Sequence, residues 1–203
     1  MLALLQNMPP REIGFNPTLC ATLINELRSS NAPFAQELIA ELTTAMATQD
    51  LSQTKAILNK ALAATQTADS SARLAVSFYL AVVEFLSGNA QACKGWLTIT
   101  LGETTSKIAA LEAIAPKSPE NGDMTVGNGL MSMAASSFVV MLNPIVGGAM
   151  MAISALVAAK GGVDNLTYEA RQAEVAQARN KLQPLLGEAR QVKGLLEAKI
   201  AEF

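Results

Sequence analysis

Apolar residues recur at helical spacing through most of this chain. Leu19, Leu23, Ile24 and Leu27 sit three or four apart, as one buried helix face requires. Asn16 and Pro17 stand in front of them, a capping side chain followed by proline at the first helical position. The stretch SSNAP breaks that helix, and Phe34, Leu38, Ile39, Leu42 and Met46 mark the next. Asp50 caps a third helix, with Leu51, Ile57, Leu58 and Leu62 on its apolar side. TADSSA opens a fourth, which stops at Gly88 in the manner of a C-terminal glycine. Asn89 caps a fifth through Leu101, and a short further helix is expected from Thr105 to Ala115, before Pro116. No run sustains period-two alternation, so the pattern predicts an all-α multi-helix bundle. Phe138 to Leu142 is the one segment that would also suit a short tongue strand.

A faint repeat lies inside this first part. QDLSQTKAILNKAL from Gln49 and GNAQACKGWLTITL from Gly88 align without gaps. Lys55 then meets Lys94, Ile57 meets Trp96, Leu58 meets Leu97 and Leu62 meets Leu101. The arrangement resembles a tetratricopeptide-type hairpin, at a spacing of 39 rather than the usual ~34. Two similar amphipathic helices in one bundle is the simpler reading and the preferred one.

Charge then disappears. From Met124 to Ala159 there is no Asp, Glu, Lys or Arg, and all 15 basic and 17 acidic residues lie elsewhere. Asn143-Pro144 falls near the middle, and the residue before proline avoids the helical region. A central hydrophobic helical hairpin is therefore expected, with arms Gly127–Leu142 and Pro144–Ala159. Each arm would be ~24 Å long as helix, a little short for a bilayer core of ~30 Å. Bulky positions are Leu130, Met131, Phe138, Val139, Met141, Ile145, Met150, Met151, Ile153 and Leu156, with Pro144 at the turn. Gly148, Ala152, Ala155 and Ala159 form a small-residue stripe on the second arm, and Ser132 and Ser136 offer a smooth surface on the first. Small residues at such spacing let helices approach closely in lipid.

Charge returns after Lys160. Tyr168, Val175, Ala178, Leu182, Leu185, Ala189, Val192, Leu196 and Phe203 follow a heptad seam, which predicts a long amphipathic C-terminal helix. Pro184 should kink or interrupt it. Three segments result: amphipathic helices over 1–116, the uncharged hairpin over 124–160, and the C-terminal helix over 161–203. In water they are expected to form one compact domain.

Composition narrows the chemistry. Histidine is absent, which removes most hydrolytic triads, most imidazole metal sites and the usual neutral-pH base. There is no phosphate-binding glycine loop. The two cysteines, Cys20 and Cys93, give neither a disulfide framework nor metal spacing. A net charge of −2 with no basic run argues against a nucleic-acid surface. No enzyme activity, cofactor or metal is expected. The opening MLALLQNMPPRE lacks a basic leader region, so a cytoplasmic protein, or one secreted without a Sec signal, is expected.

Amphipathic helices, an uncharged hairpin with a Gly/Pro turn and a long C-terminal helix together resemble α-helical pore-forming proteins. The hydrophobic-hairpin haemolysins and the colicin pore domains share this layout. The resemblance covers Met124 to Ala159 and the helix that follows. It implies a soluble form that inserts the hairpin into membrane lipid and oligomerises. Two other readings stay open. One is a soluble helical-repeat interaction module. The other is a subunit of a homo- or hetero-oligomeric helical assembly that buries the hairpin. If the arms pack closely, Ala152→Leu should cost ~1–3 kcal/mol in a urea-unfolding measurement, as overpacking does.

Overall fold

The computed structural model describes residues 1–30, 32, 34–65, 70–114 and 168–203, and the uncharged stretch lies outside them. Among the described residues there are seven α-helices, one 3-10 turn and no strand. The helices are α1 (Leu2–Gln6), α2 (Pro17–Arg28), α3 (Ala35–Thr48), α4 (Ser52–Thr65), α5 (Ser70–Leu86), α6 (Ala90–Ile114) and α7 (Tyr168–Glu202), with the 3-10 turn at Pro10–Glu12. The all-α bundle is as the periodicity requires. Two compact units divide the chain, Met1–Thr104 with Val192–Phe203, and Thr105–Gln191.

Helix ends follow local chemistry. The Asn16 side chain accepts from the Thr18 and Leu19 amides at 2.9 and 3.1 Å, so α2 starts where Asn16-Pro17 places it. Asp50 accepts from the Ser52 amide at 2.9 Å in front of α4. After α5 the Gly88 amide donates to the Phe85 carbonyl and the Asn89 amide to the Glu84 carbonyl, with Gly88 at φ +76°. That pair of bonds is the Schellman arrangement, and its left-handed residue favours glycine. Gln49 holds the matching position after α3 at φ +58°, where a side chain is strained.

The first unit is built around α5. Every residue from Leu74 to Val83 is buried, so this helix is covered on all sides. Helix α4 packs against it, and α3, α2 and α1 follow in sequence, each on its predecessor. Phe34 meets Tyr79 edge-on, with ring centroids 6.5 Å apart. Phe203 at the end of α7 meets Phe85 edge-on at 6.3 Å. The Gly14 amide donates to the Phe85 carbonyl. Helix α6 meets α5 through the Thr100 hydroxyl, 3.1 Å from the Ser77 hydroxyl, and through an Arg73–Glu103 ion pair. Buried phenylalanine and leucine side chains each contribute ~1.5–3 kcal/mol by leaving water.

In the second unit, Ile108, Leu185, Leu186 and Ala189 are buried, and Arg190 pairs with Glu112 at 2.6 Å.

Several expectations are corrected. The fifth and sixth helices are one, because Gly102 alone does not stop a helix. Glycine costs only ~1 kcal/mol there, and no proline or left-handed residue follows it. Pro184 lies inside α7 without ending it. Asn180, whose carbonyl loses its donor, is exposed, so solvent can satisfy that carbonyl. Met46 is 40% exposed, and Ala45 takes the inward position on α3. The periodicity predicts no separate helix at Leu2–Gln6, yet one forms there, and Leu4, Leu5 and the following Met8 are buried. The heptad positions Leu185, Ala189, Val192 and Leu196 are all buried, as expected.

The two left-handed positions give a paired test. Gln49→Gly should raise stability by about 0.5–1 kcal/mol, since relief of strain exceeds the added chain entropy. Gly88→Ala should lower it by about 1 kcal/mol. Urea midpoints read both, with an unchanged denaturant slope showing that only the native turn was altered.

Candidate functional site

The repeated hairpin is the most regular feature of the described residues. An offset of 39 carries Gln49 onto Gly88 and Asp50 onto Asn89. Both first positions have positive φ. Both second positions cap a helix through a side-chain oxygen, to the Ser52 amide at 2.9 Å and the Ala92 amide at 3.2 Å. Burial follows the same offset: Thr54 and Cys93 are buried, as are Leu58 and Leu97. Ile57 and Trp96 are half-buried, while Ala56 and Gly95 are exposed. The two segments are equivalent in turn and in inward face, which goes beyond a shared amphipathic pattern.

Polar groups are placed along this frame. Lys55 on α4 pairs with Glu84 on α5 at 2.8 Å, and both are largely shielded. Nothing in the periodicity singled out Glu84, although the repeat alignment had already singled out Lys55. Ser77, Thr100 and Thr104 are buried hydroxyls. Each has an acceptor: Ser77 donates to the Leu74 carbonyl, Thr100 to the Trp96 carbonyl and Thr104 to the Thr100 carbonyl. The Thr54 hydroxyl is buried and has no partner. The Ser52 amide beside Asp50 holds its carboxyl below the ordinary carboxylate range. Burial, with Glu26 nearby, pushes the Tyr79 phenol up.

Among the described residues no group of His, Cys, Asp and Glu has the arrangement to hold a metal ion. No described helix is long and apolar enough to cross a membrane. The hairpin positions singled out above lie outside the described residues. They are Leu130, Met131, Phe138, Val139, Met141, Pro144, Ile145, Met150, Met151, Ile153 and Leu156, with the contact stripe Ser132, Ser136, Gly148, Ala152, Ala155 and Ala159. Compared with known protein families, curated proteins and solved structures, the chain matches none.

Both cysteines are free thiols and buried. The Cys20 thiol is buried and lies 3.8 Å from the Leu42 carbonyl, and burial raises its pKa. Burial, reinforced by the Glu84 carboxylate, pushes Cys93 up to about 12. A free thiol ionises near 8.5. The folded state thus prefers the neutral Cys93, and its contribution is complete below about pH 8.5. It is lost as pH rises toward the folded value, because the unfolded chain ionises first. A thiol-reactive dye at pH 8 should label neither Cys20 nor Cys93 in the native protein and both after denaturation. Prompt native labelling would show that these thiols are not held in the core.

Proposed function

We propose that this chain is a helical protein that meets membrane lipid through the uncharged stretch Met124–Ala159. The observation that carries the reading is the length of that stretch, thirty-six residues without a charge in a chain with 32 charged residues elsewhere. Its central Asn143-Pro144 turn and its small-residue stripe support a hairpin that associates with itself or with other copies. Arms of ~24 Å would thin the bilayer, oligomerise or recruit flanking residues such as Lys160 to span it. The layout resembles that of pore-forming helical proteins, and membrane permeabilisation is the activity it suggests.

A second reading has its own support. The matched turns and matched burial at the 39-residue offset favour a helical-repeat module that binds another protein. In that case the uncharged stretch is covered by a partner or by other subunits rather than by lipid.

Vesicle flotation separates the two. The parent chain should float with anionic or zwitterionic vesicles. Val139→Asp and Ile153→Asp should each lower the partition constant on the order of 100-fold, since a mid-span charge costs ~2.5–3.5 kcal/mol. Circular dichroism confirms that the variants remain helical. A parent that never floats, at any lipid composition or pH tried, transfers the assignment to the interaction module.

A further inference from the structure

The opening part of α6 is poorly suited to a helix. Helices α2 to α5 contain no glycine, whereas α6 has Gly95 and Gly102 in its interior. A Cβ at either would meet nothing within 4 Å, so packing does not require them. After proline, glycine is the residue that lowers helix stability most. Between the two stand Trp96, Leu97, Thr98, Ile99, Thr100 and Leu101. Trp96, Thr98, Ile99 and Thr100 are aromatic or β-branched, types that favour strands. Leu97 to Leu101 even alternates apolar and polar residues, over a run too short to set the periodicity of the chain.

This part is also lightly held. From Ala90 to Thr104, the portion of α6 that belongs to the first unit, the fully buried side chains are Cys93, Leu97, Thr100 and Thr104. Leu97 is the one large apolar group among them, where α2 buries Leu19, Leu23, Ile24 and Leu27. The Thr100 and Thr104 hydroxyls bond back to the Trp96 and Thr100 carbonyls of their own helix, a pattern that slightly destabilises it. Lys94 and Glu103 are its only charges, too far apart for an i,i+4 pair. Its polar ties to α5 are the Thr100–Ser77 hydroxyl contact and the Arg73–Glu103 ion pair. The Arg73 side chain is 47% exposed, and a pair so open to water contributes little.

We infer that α6 opens between Gly95 and Gly102 while the rest of the first unit stays folded. Proteins open locally where few apolar contacts are buried, and here the helix is weak in its own residues as well. Its fold is set by what it packs on, against the preference of its own sequence.

The opening has a mechanical consequence. The residues from Gly95 to Gly102 span ~12 Å as helix and ~26 Å when extended, so the chain gains ~14 Å of length. Helix α6 ends at Ile114, ten residues before the uncharged stretch begins at Met124. The added length is slack that lets that stretch move toward lipid. This second step rests on the lipid-directed reading above, whereas the opening itself does not.

The two native thiols test the opening on the full-length chain. Cys93 lies two residues before Gly95 on α6, Cys20 lies on α2, and both are buried. Neither reacts promptly, but over hours with excess reagent Cys93 should label ~10-fold or more faster than Cys20. Its rate should also rise less steeply with urea, because a local opening exposes less surface than global unfolding. Gly95→Ala together with Gly102→Ala should slow Cys93 labelling about 30-fold, the combined helix preference of alanine at two sites. One rate and one urea slope for both thiols, or a Cys93 rate unchanged by the two alanines, overturns the inference. Vesicle uptake tests the second step. Where the parent floats, the two-alanine variant should be taken up more slowly by a similar factor. Slowed labelling with unchanged uptake overturns the lipid step alone. A parent that never floats removes the reading beneath that step, and the labelling arm still decides the opening.

Discussion

Everything described in the first unit depends on keeping α5 out of water. Ten consecutive residues, Leu74 to Val83, are buried, so no side of this helix can face solvent. A helix apolar all round is stable in water only when neighbours close on every face. That constraint explains why the coverings come from so many parts of the sequence. Helix α4 covers one side, and α6 a second through Thr100 and Ser77. Phe34 caps Tyr79 from the α3 side. Phe203, near the far end of the sequence, seals Phe85. The polar groups at the ends of α5 are paired in turn, Arg73 with Glu103 and Glu84 with Lys55. Leaving either shielded carboxylate alone would cost more than the pair contributes.

Local chemistry was the legible part of this fold. Asn16-Pro17, Asp50 and Gly88 mark helix ends because caps act through bonds to residues two to five positions away. The heptad seam of α7 was legible because the same face of one helix is buried turn after turn. What escaped depends on partners distant in sequence. Met46 and Ala45 are adjacent and both apolar, and only the position of α4 decides which one turns inward. Leu4, Leu5 and Met8 form too short a run to announce a helix, yet burial against α2 fixes it. The pattern predicts an amphipathic α5, yet only Ser77 interrupts the apolar run Leu74–Val83 and all ten residues are buried. The uncharged stretch Met124–Ala159, which holds both the membrane-directed positions and the helix-contact stripe, is legible as composition and lies outside the described residues.

The repeat shows the opposite balance. Sequence identity across the 39-residue offset is slight, since Ile57 meets Trp96 and Ala56 meets Gly95. Conformation is more strongly repeated than sequence. Both turns pass through a left-handed residue and both restart with an oxygen cap, although one uses glutamine and aspartate and the other glycine and asparagine. Gln49 accepts a strain that Gly88 avoids, so the turn is imposed by the packing of the helices on either side rather than by the turn residue. Geometry of this kind survives substitution because the constraint lies in how far apart the two helices must emerge.

Helix α6 mixes polar and apolar residues on both faces: Thr100, Thr104 and Lys107 are buried beside Cys93, Leu97 and Ile108, and Gly95, Ile99, Gly102 and Ala109 are exposed beside Thr98, Thr105 and Ser106. The threonine hydroxyls cost little inside, since both bond back to carbonyls four residues earlier on their own helix. Among the described residues the outer face has no such account. It lacks the i,i+4 ion pairs that support an exposed helix, of the kind α7 makes between Lys193 and Glu197. Two glycines further weaken it. Helix stability alone would therefore favour charged and straight-chain residues where this sequence has small and uncharged ones.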